Sequence, residues 1–233
     1  LASTLLWPTL TRMFNKVIKA RRKRELIHKY TKYLNKKREE LEAEQKLQKE
    51  ILFENLLPVS ECLNIIQTAR ARFWDRRIDQ NDFLQVRVGI GDELLDAKVN
   101  YPKEGFTIDE DDLKREADLM VKEYKYIHEV PIGYSLFENR ITAIMGENEK
   151  CHNMLNNIIL QLLTFYSYED IKLVIITTPS NEGKLAYTRY LKHTFSNDLQ
   201  IRFFSSTVEG AKNLCDFLYM ELQNRIQTSE GDS

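Results

Sequence analysis

Cysteine is scarce and unpatterned: Cys62, Cys151 and Cys215 are odd in number, widely separated and contain no CxxC. That argues against a disulfide framework or a thiolate zinc site and fits a reducing cytoplasm. Nothing like a signal peptide opens the chain, which starts at Leu1 rather than Met, so a piece excised from a longer protein is expected. The apolar, uncharged opening LASTLLWPTL, residues 1–10, is too short to cross a bilayer alone, since about 20 residues are needed. Neither Gly nor Pro occurs from Thr9 to Leu57, which removes every usual helix breaker from that stretch. His28, His128 and His193 lie far apart with no HExxH or triad-like company.

What is present begins with charge. The 233 residues carry a net charge of only -1, yet residues 12–38 hold twelve Lys or Arg against one acid, Glu25. That segment is therefore +11 and the remainder -12, which implies two regions with different surroundings. The cluster Arg21, Arg22, Lys23 and Arg24 follows the apolar opening closely, as on the cytoplasmic side of a membrane helix. Residues 1–11 are read as the end of such a helix, with Trp7 as an interfacial anchor. Attraction to anionic headgroups is worth about 1 kcal/mol per charge. The bland alternative is a solvated helix face with a frayed apolar start.

Residues 12–72 are read as a basic juxtamembrane helix and stalk, and 73–233 as an α/β domain. In the stalk, Met13, Val17, Leu26, Tyr30, Tyr33, Leu34, Leu41, Leu47 and Ile51 recur at helical spacing. From Thr9 to Leu57 such a helix extends about 70 Å, too long for a compact domain. The pairs Glu25–Lys29 and Glu42–Lys46 have the favourable i, i+4 order. The stripe is narrow and needs one partner; Pro58 ends the run, Ser60 can cap a helix over 61–72, and the two helices can fold back as a hairpin.

Downstream, FLQVRVGIG alternates as a half-buried strand, with LLDAKVNY as a possible return strand. A helix over 109–127 follows, then strand 140–145, helix 149–166, strand 171–177, helix 184–194, strand 199–204 and helix 208–226. This alternation predicts an α/β fold with a mainly parallel sheet, left short of strands if the domain continues further.

The segment AIMGENEKCHNM, residues 143–154, lies where a phosphate loop belongs, between strand and helix. Gly146 takes the first position, but Cys151, His152 and Asn153 replace Gly, Lys and Ser/Thr. Cys151 puts a Cβ where backbone must approach phosphate, His152 is shorter than Lys and mostly neutral, and Asn153 lacks the magnesium-binding hydroxyl. Glu147 and Glu149 add negative charge. Lys150 and the helix N-terminus, with Asn148 between them, leave weak anion binding open. A degenerate, non-hydrolytic loop is expected, without catalytic residues and without a metal site. Gly89-Ile90-Gly91 lacks a third Gly opening a helix, so a dinucleotide fingerprint fails. Cys151 and His152 diverge by about 100° on a helix and do not make one metal site. The acids of DEDD, 109–112, are accounted for by a helix dipole.

RFWDRRIDQNDFLQVRVGIG, residues 72–91, contains Phe73, Trp74, Asp75, Arg76, Arg77, Asp82, Phe83, Leu84, Val86, Arg87, Val88, Gly89 and Gly91. From the residues alone, the arginines and Asp75, Asp79 and Asp82 can form an ion-pair network locking stalk to first strand, or a contact between subunits. The element resembles one in the EssC/EccC membrane ATPases of type VII secretion, which are FtsK/SpoIIIE-like. VPIGY, residues 130–134, resembles the strand that precedes their phosphate loop. The resemblance extends over essentially the whole chain. It implies a RecA/FtsK-like, P-loop-like domain lacking the signature, with no cofactor of its own and with ATP and Mg held by later modules of the parent protein. It also implies membrane anchoring at the cytoplasmic face of a bacterial cell, self-association in an oligomer, and contact with other membrane components of the machine. Helical secreted substrates dock elsewhere.

The expected role is a structural and coupling module between membrane pore and cytoplasmic motors. The alternatives are an active or weak ATP-binding module, or a DNA-translocase fragment in which the basic helix touches phosphates; the acidic α/β region disfavours nucleic acid.

Overall fold

The computed structural model describes residues 3–69, 72–97 and 111–231, without the side chains of 3–10, 111–114 and 228–231. The DEDD acids, the far end of the expected return strand and the side chains of the apolar opening lie outside it. The chain is a mixed helix and strand fold with a long N-terminal helix and small sheets, one of them parallel. It divides into two compact units, 1–56 with 89–132, and 57–88 with 133–233.

The first unit is built on helix α1, Ser3–Asn55, whose 53 residues extend about 80 Å. Exposed pairs along it are Arg21–Glu25 at 3.4 Å, Lys37–Glu40 at 2.6 Å and Lys46–Glu50 at 4.0 Å. The pairs expected from sequence differ because Glu25 turns back to Arg21, and Glu42 accepts from the Tyr124 hydroxyl at 2.8 Å. Only the middle of the apolar stripe is covered. Leu34 and Leu41 are buried with Ala117, Met120 and Tyr124, and Tyr30 packs at the edge. Met13, Val17 and Leu26 are exposed. The partner is α3, Asp111–Glu123, whose apolar residues recur at three- and four-residue spacing.

Strands β1, Gln85–Leu94, and β2, Tyr126–Ser135, pair as a two-stranded ribbon. Hydrogen bonds Leu136 N–H to Leu84 O and Leu95 N–H to Lys125 O run in antiparallel order. The strand partner of FLQVRVGIG is therefore the segment holding VPIGY, not the adjacent LLDAKVNY. In the first unit the ribbon's backbone is tied to α1 by side-chain amides. Gln48 donates to Leu94 O at 2.9 Å and accepts from Asp96 N–H at 2.9 Å, and Gln45 donates to Tyr126 O at 3.1 Å.

In the second unit, α2, Val59–Thr68, packs on α4, Asn148–Phe165, through Cys62 and Ile65. The helix that follows the stalk thus finds its partner in α4; the α2 N-cap is Pro58, not Ser60. Cys62, Val86, Ile158, Leu162, Phe165, Tyr166 and Ile171 form the core. Burying each large apolar side chain there stabilises the fold by about 1.5–3 kcal/mol. Strands β3, Ile175–Ile176, and β4, Phe204–Ser205, pair in parallel, with Ile175 opposite Phe204. Between them lie a short helix α5, Glu182–Leu185, and two 3₁₀ turns, 186–190 and 192–194, where one helix is expected from sequence. Helix α6, Val208–Gly231, closes the described chain. Residues 140–145, expected as a strand, are irregular and exposed, because no strand among the described residues pairs with them: Ile141 is 95% and Met145 90% exposed.

One buried polar residue fixes the approach of α4 to β1. Gln161, 3% exposed, accepts from Arg87 N–H at 2.7 Å and donates to Arg87 O at 3.0 Å, so its amide replaces a missing strand neighbour. Replacing Gln161 by Leu removes both of these hydrogen bonds, and the unfolding free energy should fall by about 2–4 kcal/mol in urea titration. The exposed Gln200→Ala should stay within about 0.5 kcal/mol of the parent.

Candidate functional site

The two ends of α4 carry the two sequence features of interest. At its N-terminus every residue from 141 to 150 is exposed. Gly146 takes φ +157°, a backbone conformation that L side chains rarely adopt, and a Cβ there would lie 3.6 Å from Cys151 Sγ. Glu147 precedes the helix without a side-chain cap, and its carbonyl accepts from Cys151 N–H at 2.9 Å. Lys150 Nζ lies 3.0 Å from the Glu147 carboxylate. The loop's lysine therefore faces an acid of its own loop. His152 Nδ1 lies 2.8 Å from Asn148 O, and Lys184 donates to Asn148 Oδ1 at 3.5 Å. Asn153 is exposed.

At its C-terminus the same helix meets residues 74–76. The last carbonyls of a helix have no partner within it. Here Trp74 N–H donates to Thr164 O at 2.9 Å, its indole N–H to Leu163 O at 3.1 Å, and Arg76 N–H to Phe165 O at 3.2 Å. Trp74 takes a left-handed φ of +59° to present both donors. Arg76, 8% exposed, brings positive charge to the negative end of the helix dipole. Its guanidinium sits 4.1 Å over the Phe165 ring, donates to Gln85 O at 3.0 Å and lies 3.4 Å from Asp82. Tyr166 braces the same corner: its hydroxyl accepts from Leu84 N–H at 2.7 Å and donates to Asp82 O at 3.3 Å.

Of the paired arginines only Arg76 is buried. Arg77 and Asp75 are exposed, and Arg77 N–H donates to Gln80 at 2.9 Å. Arg87 meets α4 through its backbone. Phe73 stacks on Trp74 at 4.5 Å. The rings of Tyr168 and His193 approach Trp74 edge-on at 5.7 and 6.3 Å. His193 is buried, its Nε2 is 3.0 Å from Tyr166 O, and burial pushes its imidazole below the usual range. The basic residues Arg21, Arg22, Lys23 and Arg24 are exposed on α1, far in sequence from both ends of α4.

Near the carboxyl ends of β3 and β4, Glu182 accepts from Arg189 at 2.7 Å. Hydrogen bonds from Ser206 and Arg189 lower its pKa. Among the described residues no three His, Cys, Asp or Glu side chains are grouped to hold a metal ion. Sequence reading missed Gln161 and Tyr166, and met His193 only as an isolated histidine. Gln161 had a visible signal: a lone amide on the apolar face that carries Ile158, Leu162 and Phe165.

No protein-family model matches the chain. The ESX secretion system protein EccC of Geobacillus thermodenitrificans is 26% identical over 193 residues, 82% of this chain. The type VII secretion system protein EssC of Staphylococcus aureus strain NCTC 8325 is 26% identical over 214 residues, 92% of this chain. The chain is related to the EssC and EccC secretion proteins. It spans 13% of the length of that EccC and 14% of that EssC. The EssC match takes in nearly the whole chain and so exceeds either compact unit in extent.

The two arginines give a direct contrast. Arg76→Ala keeps the backbone N–H that caps Phe165 O but removes the charge at the helix end, the ring contact, the bond to Gln85 O and the Asp82 partner, and should cost about 2–4 kcal/mol of unfolding free energy, below the ceiling for a fully buried pair because Asp82 is partly exposed. Arg77→Ala should cost less than about 0.5 kcal/mol.

His193 predicts a pH effect. Its folded pKa is depressed below the unfolded value of about 6.5, so its contribution is complete above that pH and is lost as pH falls through the folded value. Thermal melts from about pH 8 to pH 5 should show falling stability below about pH 6.5. The slope should shrink in His193→Gln, which keeps a donor for Tyr166 O.

Proposed function

We propose that this chain is a non-hydrolytic coupling module of a membrane-bound secretion ATPase, carrying movement between a membrane pore and cytoplasmic motor modules during protein export. The observation that carries the reading is the placement of Cys151, His152 and Asn153 where a working phosphate loop needs Gly, Lys and a hydroxyl, with Lys150 beside Glu147. The likeness to secretion-system proteins supplies the setting. In this reading ATP and Mg belong to other modules of the parent protein, and secreted helical substrates dock there too.

The basic stretch at Arg21–Arg24 lies against anionic headgroups at the cytoplasmic face, and α1 leads away from the membrane as a stalk. Among the described residues no helix is long and apolar enough to cross a membrane. The exposed apolar residues Met13, Val17 and Leu26 leave α1 a surface for other membrane components or further copies of the chain.

Titration of the chain with a fluorescent ATP analogue should give no saturable magnesium-dependent binding and no turnover. Tight binding with turnover would overturn the proposal in favour of an active module. In the parent protein, His152→Ala and Lys150→Ala should leave export unchanged. Replacing Arg21, Arg22, Lys23 and Arg24 by Glu should reduce flotation with anionic vesicles. Strong DNA binding lost in that same variant would instead support a translocase.

A further inference from the structure

The capping role of Trp74 only half explains what the residue costs. Trp74 adopts a left-handed backbone that bulky residues rarely take, and both of its N–H donors are used on α4 carbonyls. A buried indole would complete that role, yet Trp74 remains 39% exposed. Phe73 covers one side of the ring, while Tyr168 meets it edge-on.

Tyr168 carries two cations. Lys192 Nζ lies 4.9 Å and Lys172 Nζ 5.6 Å from its ring centre. Among the described residues neither ammonium has a carboxylate within ion-pair distance, although Glu169 is near enough to act on Lys172. Burial depresses the Lys172 pKa, which means that its charge is incompletely solvated where it stands. Trp74, Tyr168, Lys172 and Lys192 belong to one compact unit.

We propose that Trp74, Tyr168, Lys172 and Lys192 form a docking surface for an acidic segment of a partner protein, its carboxylates meeting the two ammoniums and an apolar side chain lying on the indole. Charge complementarity selects the class of occupant. Two cations without a carboxylate within ion-pair distance gain most from anionic groups, and a rigid aromatic beside them supplies apolar area at low entropic cost. A nucleic acid fits less well. Phe73 occupies one face of Trp74, which limits base stacking, and two ammoniums do not make a track for a phosphate backbone. The surface uses none of the loop residues on which the coupling role rests, so each can fail without the other.

The test uses the full chain carrying Trp7→Phe, which leaves Trp74 as the sole indole. The probes are a short peptide alternating Glu and Leu, its Lys and Leu counterpart, and an oligo-dT strand. The acidic peptide should quench or shift Trp74 fluorescence saturably, with affinity falling as salt is raised. Lys172→Glu with Lys192→Glu should weaken it at least about tenfold. Lys212→Glu, outside the patch, should leave it unchanged, and the basic peptide should not bind. Circular dichroism monitors folding. If the double variant unfolds, Lys192→Gln alone, at an exposed position, must still reduce affinity. No binding of the acidic peptide to the parent, equal binding by the lysine variants, or tighter binding of oligo-dT through the same residues would overturn the proposal. The nucleotide titration on the same sample reports separately on the coupling role.

Discussion

The C-terminus of helix α4 is the constraint on which the second unit depends. A helix that ends inside a core leaves carbonyls that water cannot reach. Here Leu163, Thr164 and Phe165 are answered by two backbone N–H groups and one indole N–H, all from residues 74–76. Because Trp74 must bend into a left-handed backbone to supply two of them, the chain before β1 has little freedom of path. Arg76, drawn to the same helix end, then reaches Gln85 and Asp82, and Tyr166 fixes the corner at Leu84. The position of β1 follows from the cap, and Gln161 secures it by hydrogen bonding to Arg87 from the C-terminal part of α4.

The same device recurs in the first unit with different residues. A ribbon of only two strands has unpaired backbone along its outer edges, and isolated ribbons are marginal in water. Gln48 satisfies Leu94 and Asp96 from α1 in the way Gln161 satisfies Arg87 from α4. Amide side chains, which carry both a donor and an acceptor, suit this because they can replace a strand neighbour with no net charge to desolvate. The long helix thus needs no continuous apolar seam. A short buried patch around Leu34 and Leu41 plus polar ties to strand backbone suffices, and the rest of its stripe stays exposed.

The two ends of α4 differ in how much is built around them. The C-terminal end is closely packed and fully hydrogen-bonded, whereas the N-terminal loop is exposed and its lysine sits beside its own glutamate. The proposed role rests on residue identity in that loop, while the dense hydrogen bonding lies at the other end of the helix. The exposed, irregular 140–145 segment belongs with the loop, since a strand without a neighbour has no ladder to hold it.

By itself the sequence determined the long helix, because no residue between Thr9 and Leu57 can break it, along with the positions of α2, α3, α4 and α6, and the departure of residues 146–153 from the phosphate-loop pattern, which is a matter of residue identity at fixed spacing. It also marked the stretch from Phe73 to Gly91 as unusual. It could not say what that stretch is for. The ion-pair lock read from Arg76 and Arg77 treats them alike, and only tertiary structure separates a buried cap from an exposed neighbour. Partners across the chain were likewise decided by packing. Residues 126–135 rather than 94–101 pair with β1, and α2 lies on α4 while α1 finds α3. The physical reason is the same in each case. Periodicity records which face of an element is apolar, but the choice of what covers it depends on where buried carbonyls and amides can all be satisfied together, and that is fixed only once the elements meet.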